Sequence, residues 1–279
     1  MNPIGIEFIS VLGQPPVDYV HTAAELGVRC IGMAPAPIVT VEGLYPSWSL
    51  VEDAGLRRAF TAALAECGVS VSVGEGFLLM PGMDIQDFAP QVDAMAEIGA
   101  PVLNVIGVNP DPNGAADQLG AFAELAAARG LRTTIEFVPG TPFGDLPAAV
   151  DIVRRVGRPD FAVLVDAMHL FRTGSTAADL DALDAALIGY VQICDVPWTS
   201  NLDYADEARF ERRAPGDGGL PLKDMIAALP MDIHLGLEVP MRAKAEAGVG
   251  PVERLRPAIE TMRDLVSEVA MLPSQLTPG

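Results

Sequence analysis

The stretch FAVLVDAMHLFRTG, residues 161–174, decides how this chain folds. It opens with an unbroken apolar run, 161–165, of the kind that forms a strand covered on both faces, as in a parallel sheet. Asp166 and, three residues on, His169 follow where such a strand ends. Asp-x-x-His at that point brings a carboxylate and an imidazole into one cleft. Three more apolar runs finish the same way: TTIEFVP at Glu136, GYVQICD at Gln192 and Asp195, and LGLEVP at Glu238. Four buried strands that each deliver a polar side chain at the carboxyl end point to one shared site.

Outward from this stretch, strands and helices alternate. Strands are expected at 4–9, 28–33, 69–73, 101–106, 132–138, 189–194 and 232–238, besides the one at 161. Helices are expected at 15–26, 51–67, 84–98, 115–129, 146–156, 177–186, 221–228 and 251–270, several ended by glycine. The GEGF segment after the third strand and the charged segment 198–219 read as loops. Strict alternation implies parallel βαβ units, and eight of them in 279 residues fit a single α/β domain, a (β/α)8 TIM barrel over 1–279. The tail, 271–279, is expected to fray. No Gly-x-Gly-x-x-Gly follows the first strand, which argues against dinucleotide binding. Reactive residues of a barrel belong at the carboxyl ends of its strands, where Glu136, Asp166, Gln192 and Glu238 lie.

The net charge is −19 and only two lysines occur, Lys223 and Lys244, so a nucleic-acid partner is not expected. No apolar window approaches the roughly 20 residues of a membrane helix. MNPIGIEFIS reads as a first strand, not a signal peptide. Cys30, Cys67 and Cys194 stand singly in apolar surroundings, which suits reduced thiols and a cytoplasmic protein. Of the histidines, His21 falls in a helix and His234 in a strand, leaving His169 for the site.

Two glutamates and an aspartate in one cleft repel if bare. A divalent cation removes that repulsion, and carboxylates with the amide oxygen of Gln192 suit Mn²⁺ or Mg²⁺. A metal there would hold adjacent carbonyl and hydroxyl oxygens and stabilise an enediolate, while the two glutamates move protons on carbon. Glu75 and Asn104, at the ends of the third and fourth strands, can face the same site. Glu7 on the first strand can face either way, and Tyr45 and Trp48 either wall the substrate or pack on helix caps.

IEFVP, VDAMHL, VQICDVP, RRAPGDGG and GLEVP, in that order, resemble the xylose-isomerase-like superfamily of sugar isomerases and epimerases, with its ketose 3-epimerases, inosose dehydratase and 3-dehydroshikimate dehydratase. The resemblance implies metal ligands at Glu136, Asp166, Gln192 and Glu238, with Glu136 and Glu238 also acid and base. It implies substrate contacts at His169 and at Arg213, which precedes the PGDG turn; Trp198, at the head of that segment, and Glu75 join them. One position departs: the family's seventh-strand histidine is Gln192 here, a weaker donor that favours harder ions over Zn²⁺. The endonuclease branch of the fold needs a histidine-rich site that three histidines do not supply.

The expected activity is metal-dependent isomerisation or epimerisation of a carbohydrate-like ketone. A lyase or dehydratase sharing the first step is the alternative, and an accessory barrel without catalysis a third. The segments after the strands choose among these, and there a single sequence says least. A homo-oligomer built on the outer helices is compatible with the pattern.

Overall fold

The computed structural model describes residues 2–271. All but the first residue of the tail expected to fray therefore lies outside the described residues.

Eight parallel strands close into a barrel in sequence order: β1 (Ile4–Ile6), β2 (Cys30–Met33), β3 (Ser70–Leu79), β4 (Val102–Gly107), β5 (Arg132–Glu136), β6 (Phe161–Asp166), β7 (Ile188–Ile193) and β8 (Leu235–Leu237). The ring closes where β1 pairs with β8, Gly5 opposite Gly236. The apolar runs form strands because helices cover them outside and side chains fill them inside. Val73, Val102, Leu164 and Tyr190 touch one another from β3, β4, β6 and β7, which is possible only across the barrel interior. The larger core lies between the strands and the outer helices.

The helices are α1 (Pro16–Glu25), α2 (Ala54–Cys67), α3 (Ala89–Glu97), α4 (Pro112–Ala127), α5 (Leu146–Val156), α6 (Ala167–Arg172), α7 (Ala177–Asp181), α8 (Tyr204–Phe210), α9 (Leu222–Ala227), α10 (Arg242–Glu246) and α11 (Pro251–Ala270). The alternation predicts eight, and the extra ones are short turns near the strand ends. Three of them shape the site region. α6 starts directly after β6, because the Asp166 side chain caps it by accepting from the His169 N–H at 2.8 Å. α8 occupies the charged segment read as a loop, capped by Asp203. α10 follows β8.

Two strand boundaries also depart from expectation. β1 stops at Ile6, and Phe8–Val11 turns into a 3₁₀ segment. β3 runs through GEGF, so those residues are strand, not loop. Its register against β4 slips between Gly74 and Phe77, three steps on one strand against two on the other. Gly76 absorbs that bulge at φ 88°, a conformation a side chain disfavours.

Candidate functional site

The carboxyl ends of the strands gather a buried polar cluster. Glu136 and Asp166 are the last residues of β5 and β6, Gln192 sits one before the end of β7, and Glu238 follows β8 directly. Asp166 pairs in register with Gln192, and Gln192 with Gly236. Asp166 and Gln192 are fully buried; Glu136, at 9% exposure, is the least buried of the four. The four strand-end residues read from sequence do share one end of the barrel.

Glu136 holds two donors. Asn104 Nδ2 reaches its Oε2 at 2.8 Å, and His169 Nε2 lies 3.3 Å from its Oε1. The other ring nitrogen of His169, Nδ1, bonds the Tyr204 hydroxyl from α8. The ring thus bridges the two groups, Nε2 facing Glu136 and Nδ1 meeting the Tyr204 hydroxyl. Burial pushes the Tyr204 phenol up, so it remains a donor.

Asp166, Glu238 and Arg212 form the second half of the cluster. Arg212 Nη1 pairs with Asp166 Oδ2 and also lies 2.5 Å from Glu238 Oε2. Its Nε donates to the Ala208 carbonyl at 2.7 Å. Burial would raise the Asp166 carboxyl, but Arg212, His169 and the His169 N–H outweigh it and hold the pKa low. Glu238 goes the other way. Burial raises it, the Arg212 charge opposes this, and the charges of Asp166, Glu136 and Glu75 leave it well above the ordinary range. Ser10 braces Glu238 from below, donating to the Leu237 carbonyl and accepting from the Val239 N–H.

Beneath these lies a carboxyl floor. Glu75 accepts from Gln192 Nε2 at 2.9 Å and from the Phe8 N–H at 3.3 Å. Glu7 accepts from the Tyr190 hydroxyl at 2.7 Å, and Tyr190 meets Ser72 at 2.9 Å. Burial first, then the charges of Glu238 and Glu136, push Glu7 up to about 8 despite the Tyr190 bond. Glu75 is likewise raised by burial and by Glu7. Glu7 Oε2 has no ordinary partner, which fits a carboxyl proton shared with Glu75. Space for Glu7 exists because Gly32 and Gly236 lack side chains: a Cβ at Gly236 would lie 1.5 Å from Glu7 Oε1.

Two expected substrate contacts fall elsewhere. Arg213 is exposed and donates to the Asp217 carbonyl at 3.1 Å. Its backbone is extended in an antiparallel bridge to Asp195, so neighbouring side chains alternate and Arg212 points inward instead. Trp198 is 57% exposed and packs edge-on against Phe171. Arg172 holds the Pro197 and Trp198 carbonyls. Trp48 packs against Phe8 and donates to the Gly13 carbonyl. Asp195 shapes the PGDGG turn by accepting from Val196, Gly216 and Leu220. Arg212, Tyr204 and Tyr190 escaped the sequence reading; alternation along Arg212–Arg213 is the signal that finds the first.

A divalent ion among Glu136, Asp166, Gln192 and Glu238 does not fit this arrangement. Among the described residues no three His, Cys, Asp or Glu side chains are placed to hold one. The space between Asp166 and Glu238 belongs to a guanidinium, and Gln192 directs its NH₂ at Glu75. The expectation of Mn²⁺ or Mg²⁺ meets a cation the chain itself supplies.

The family profile of xylose isomerase-like TIM barrels matches residues 20–265. Over 219 residues the chain is 28% identical to a protein provisionally named hydroxypyruvate isomerase in Streptomyces coelicolor, covering 68% of this chain and 71% of that one. It is 26% identical to the inosose isomerase of Halalkalibacterium halodurans over 54% of this chain and 52% of that relative, about half its length. Among solved structures, the IOLI protein with a binding zinc atom matches at TM-score 0.79 and 16% identity, over 96% of this chain and 99% of that chain. D-allulose 3-epimerase from Methylomonas sp. matches at TM-score 0.70 and 14% identity, over 95% and 98%. Such distant structures share the fold alone. With the profile spanning nearly the whole barrel, the chain belongs to the xylose isomerase-like TIM barrel family.

Proposed function

We propose that this protein is an isomerase or epimerase of a small sugar or polyol ketone, working through an enediolate. The observation that carries the reading is the pair Glu136 and Glu238, buried at the ends of β5 and β8 in a site otherwise built of hydrogen-bonding groups. One carboxylate takes the proton from the carbon beside the carbonyl. The electron pair left behind moves onto the carbonyl oxygen, and the other carboxyl returns a proton to carbon. Glu238, raised by burial, suits the proton-donating role. His169 and Arg212 are the donors available to the oxygen on which charge develops. The isomerase and epimerase names of the relatives support the reaction class. No lysine-rich cradle lies at the strand ends, which favours an unphosphorylated substrate.

The lyase reading shares the first step and differs in losing a β-leaving group, for which a protonated Glu238 would serve as acid. A new product absorbance separates the two.

The test is hydrogen exchange. The protein is incubated in D₂O with hydroxypyruvate, inososes and ketoses, and deuterium at substrate carbon is followed by NMR. Exchange with one of them, slowed roughly 10²–10⁴-fold in Glu136→Gln and in Glu238→Gln, is expected. Exchange that persists at full rate in both variants sinks the assignment.

A further inference from the structure

The two carboxylates best placed to flank an ion, Asp166 and Glu238, share one nitrogen of Arg212 instead. That arginine is not a surface side chain caught in passing. It is 4% exposed, and its Nε is bonded to Ala208 on α8. Its backbone N–H donates to the Pro240 carbonyl at 3.1 Å, and its neighbours are pinned by the bridges Glu211 to Met241 and Asp195 to Arg213. A guanidinium keeps its charge at any working pH, and its weak hydration makes it the cation that tolerates burial between carboxylates.

The other candidate metal donors have likewise found partners within the protein. Gln192 spends its NH₂ on Glu75. Glu136 has Asn104 on one oxygen and His169 beside the other. A divalent ion entering here would sit within a few ångströms of the guanidinium, and like charges that close in a buried site repel strongly.

We propose that Arg212 takes the electrostatic place of a divalent ion, so that this chain carries its own fixed cation and binds neither Mn²⁺, Mg²⁺ nor Zn²⁺ at the strand ends. Insofar as it gives the guanidinium the substrate's developing oxyanion, the proposal rests on the isomerase reading. The buried Oε1 of Gln192, which lacks a partner, then accepts from a substrate hydroxyl.

The full chain is dialysed against chelator and titrated with Mn²⁺, Mg²⁺ and Zn²⁺, reading heat of binding and melting temperature. The wild type is expected to take up no ion and to keep its melting temperature. The double variant Arg212→Met/Gln192→His removes the guanidinium and supplies an imidazole. It is expected to gain one ion per chain and to melt roughly 5–10 °C higher at a hundredfold excess over Kd. Wild-type protein that takes up one ion per chain, with a matching rise in melting temperature, overturns the proposal, and that measurement needs no variant to fold. Ion uptake is read without substrate, so this proposal stands or falls separately from the isomerase reading, which hydrogen exchange decides.

Discussion

Replacing Glu7 with glutamine should flatten the pH dependence of stability. The Glu7 carboxyl is fully buried and is pushed from 4.5 up to about 8, first by burial. Between those values the folded protein keeps a proton that the unfolded chain has released. Stability from this group is therefore full below about pH 4.5 and is lost as pH rises through about 8. Each pH unit in that window is worth about 1.4 kcal/mol, so the wild type should lose on the order of 3–4 kcal/mol between pH 5 and pH 8 through the one proton that Glu7 shares with Glu75. Glutamine keeps the shape: its oxygen accepts from Tyr190, and its NH₂ takes over the proton's role toward Glu75. Urea unfolding of both proteins at pH 5, 6, 7 and 8 measures the difference directly. The wild-type curve should fall more steeply, with the variant the more stable at pH 8. Parallel curves would refute the protonated floor and the shared proton with it.

Arg212→Met leaves Asp166 and Glu238 buried without their common partner, and should cost about 3–5 kcal/mol at pH 7, or roughly 6–20 °C in melting temperature. Asp166 is the depressed carboxyl, so the wild-type advantage is present above its unfolded value and should shrink as pH falls below about 4. A deficit below about 1 kcal/mol at pH 7 would show the pairs to be energetically idle. Gly236→Ala drives a methyl group into Glu7 and should destabilise by roughly 3 kcal/mol. Glu7→Ala in the same chain should restore at least about 1 kcal/mol, measured as a double-mutant cycle. Simple additivity would place the strain elsewhere.

The barrel was legible because parallel strands covered on both faces leave unbroken apolar runs, and each run ended at the residue that reaches the site. Glu136, Asp166 and Glu238 follow from that rule, while at the seventh strand it offered Gln192 and Asp195 alike and the family resemblance chose Gln192. What escaped depends on backbone conformation that periodicity does not report. GEGF looks like a loop because glycines weaken strands, yet a bulge carries β3 through it and points Glu75 inward. α8 is hidden in a charged segment because five residues of YADEARF are polar or half-buried rather than an apolar stripe. Arg212 and Arg213 are indistinguishable until the backbone is known to be extended, and then only one of them can face the cluster.

The bridges that hold Arg212 have a consequence for how the protein is made. Asp166 leaves the ribosome well before its counter-charge does, and the Arg212 N–H gains its bond to Pro240, and Glu211 its bridge to Met241, only with the segment beyond β8. A nascent chain that ends before residue 212 holds Asp166 at the end of β6 without its guanidinium. β8 closes the ring and leads directly into that segment, so closure and the full seating of Arg212 both come late, and a product truncated before β8 should stay open and be recognised by proteases as unfinished.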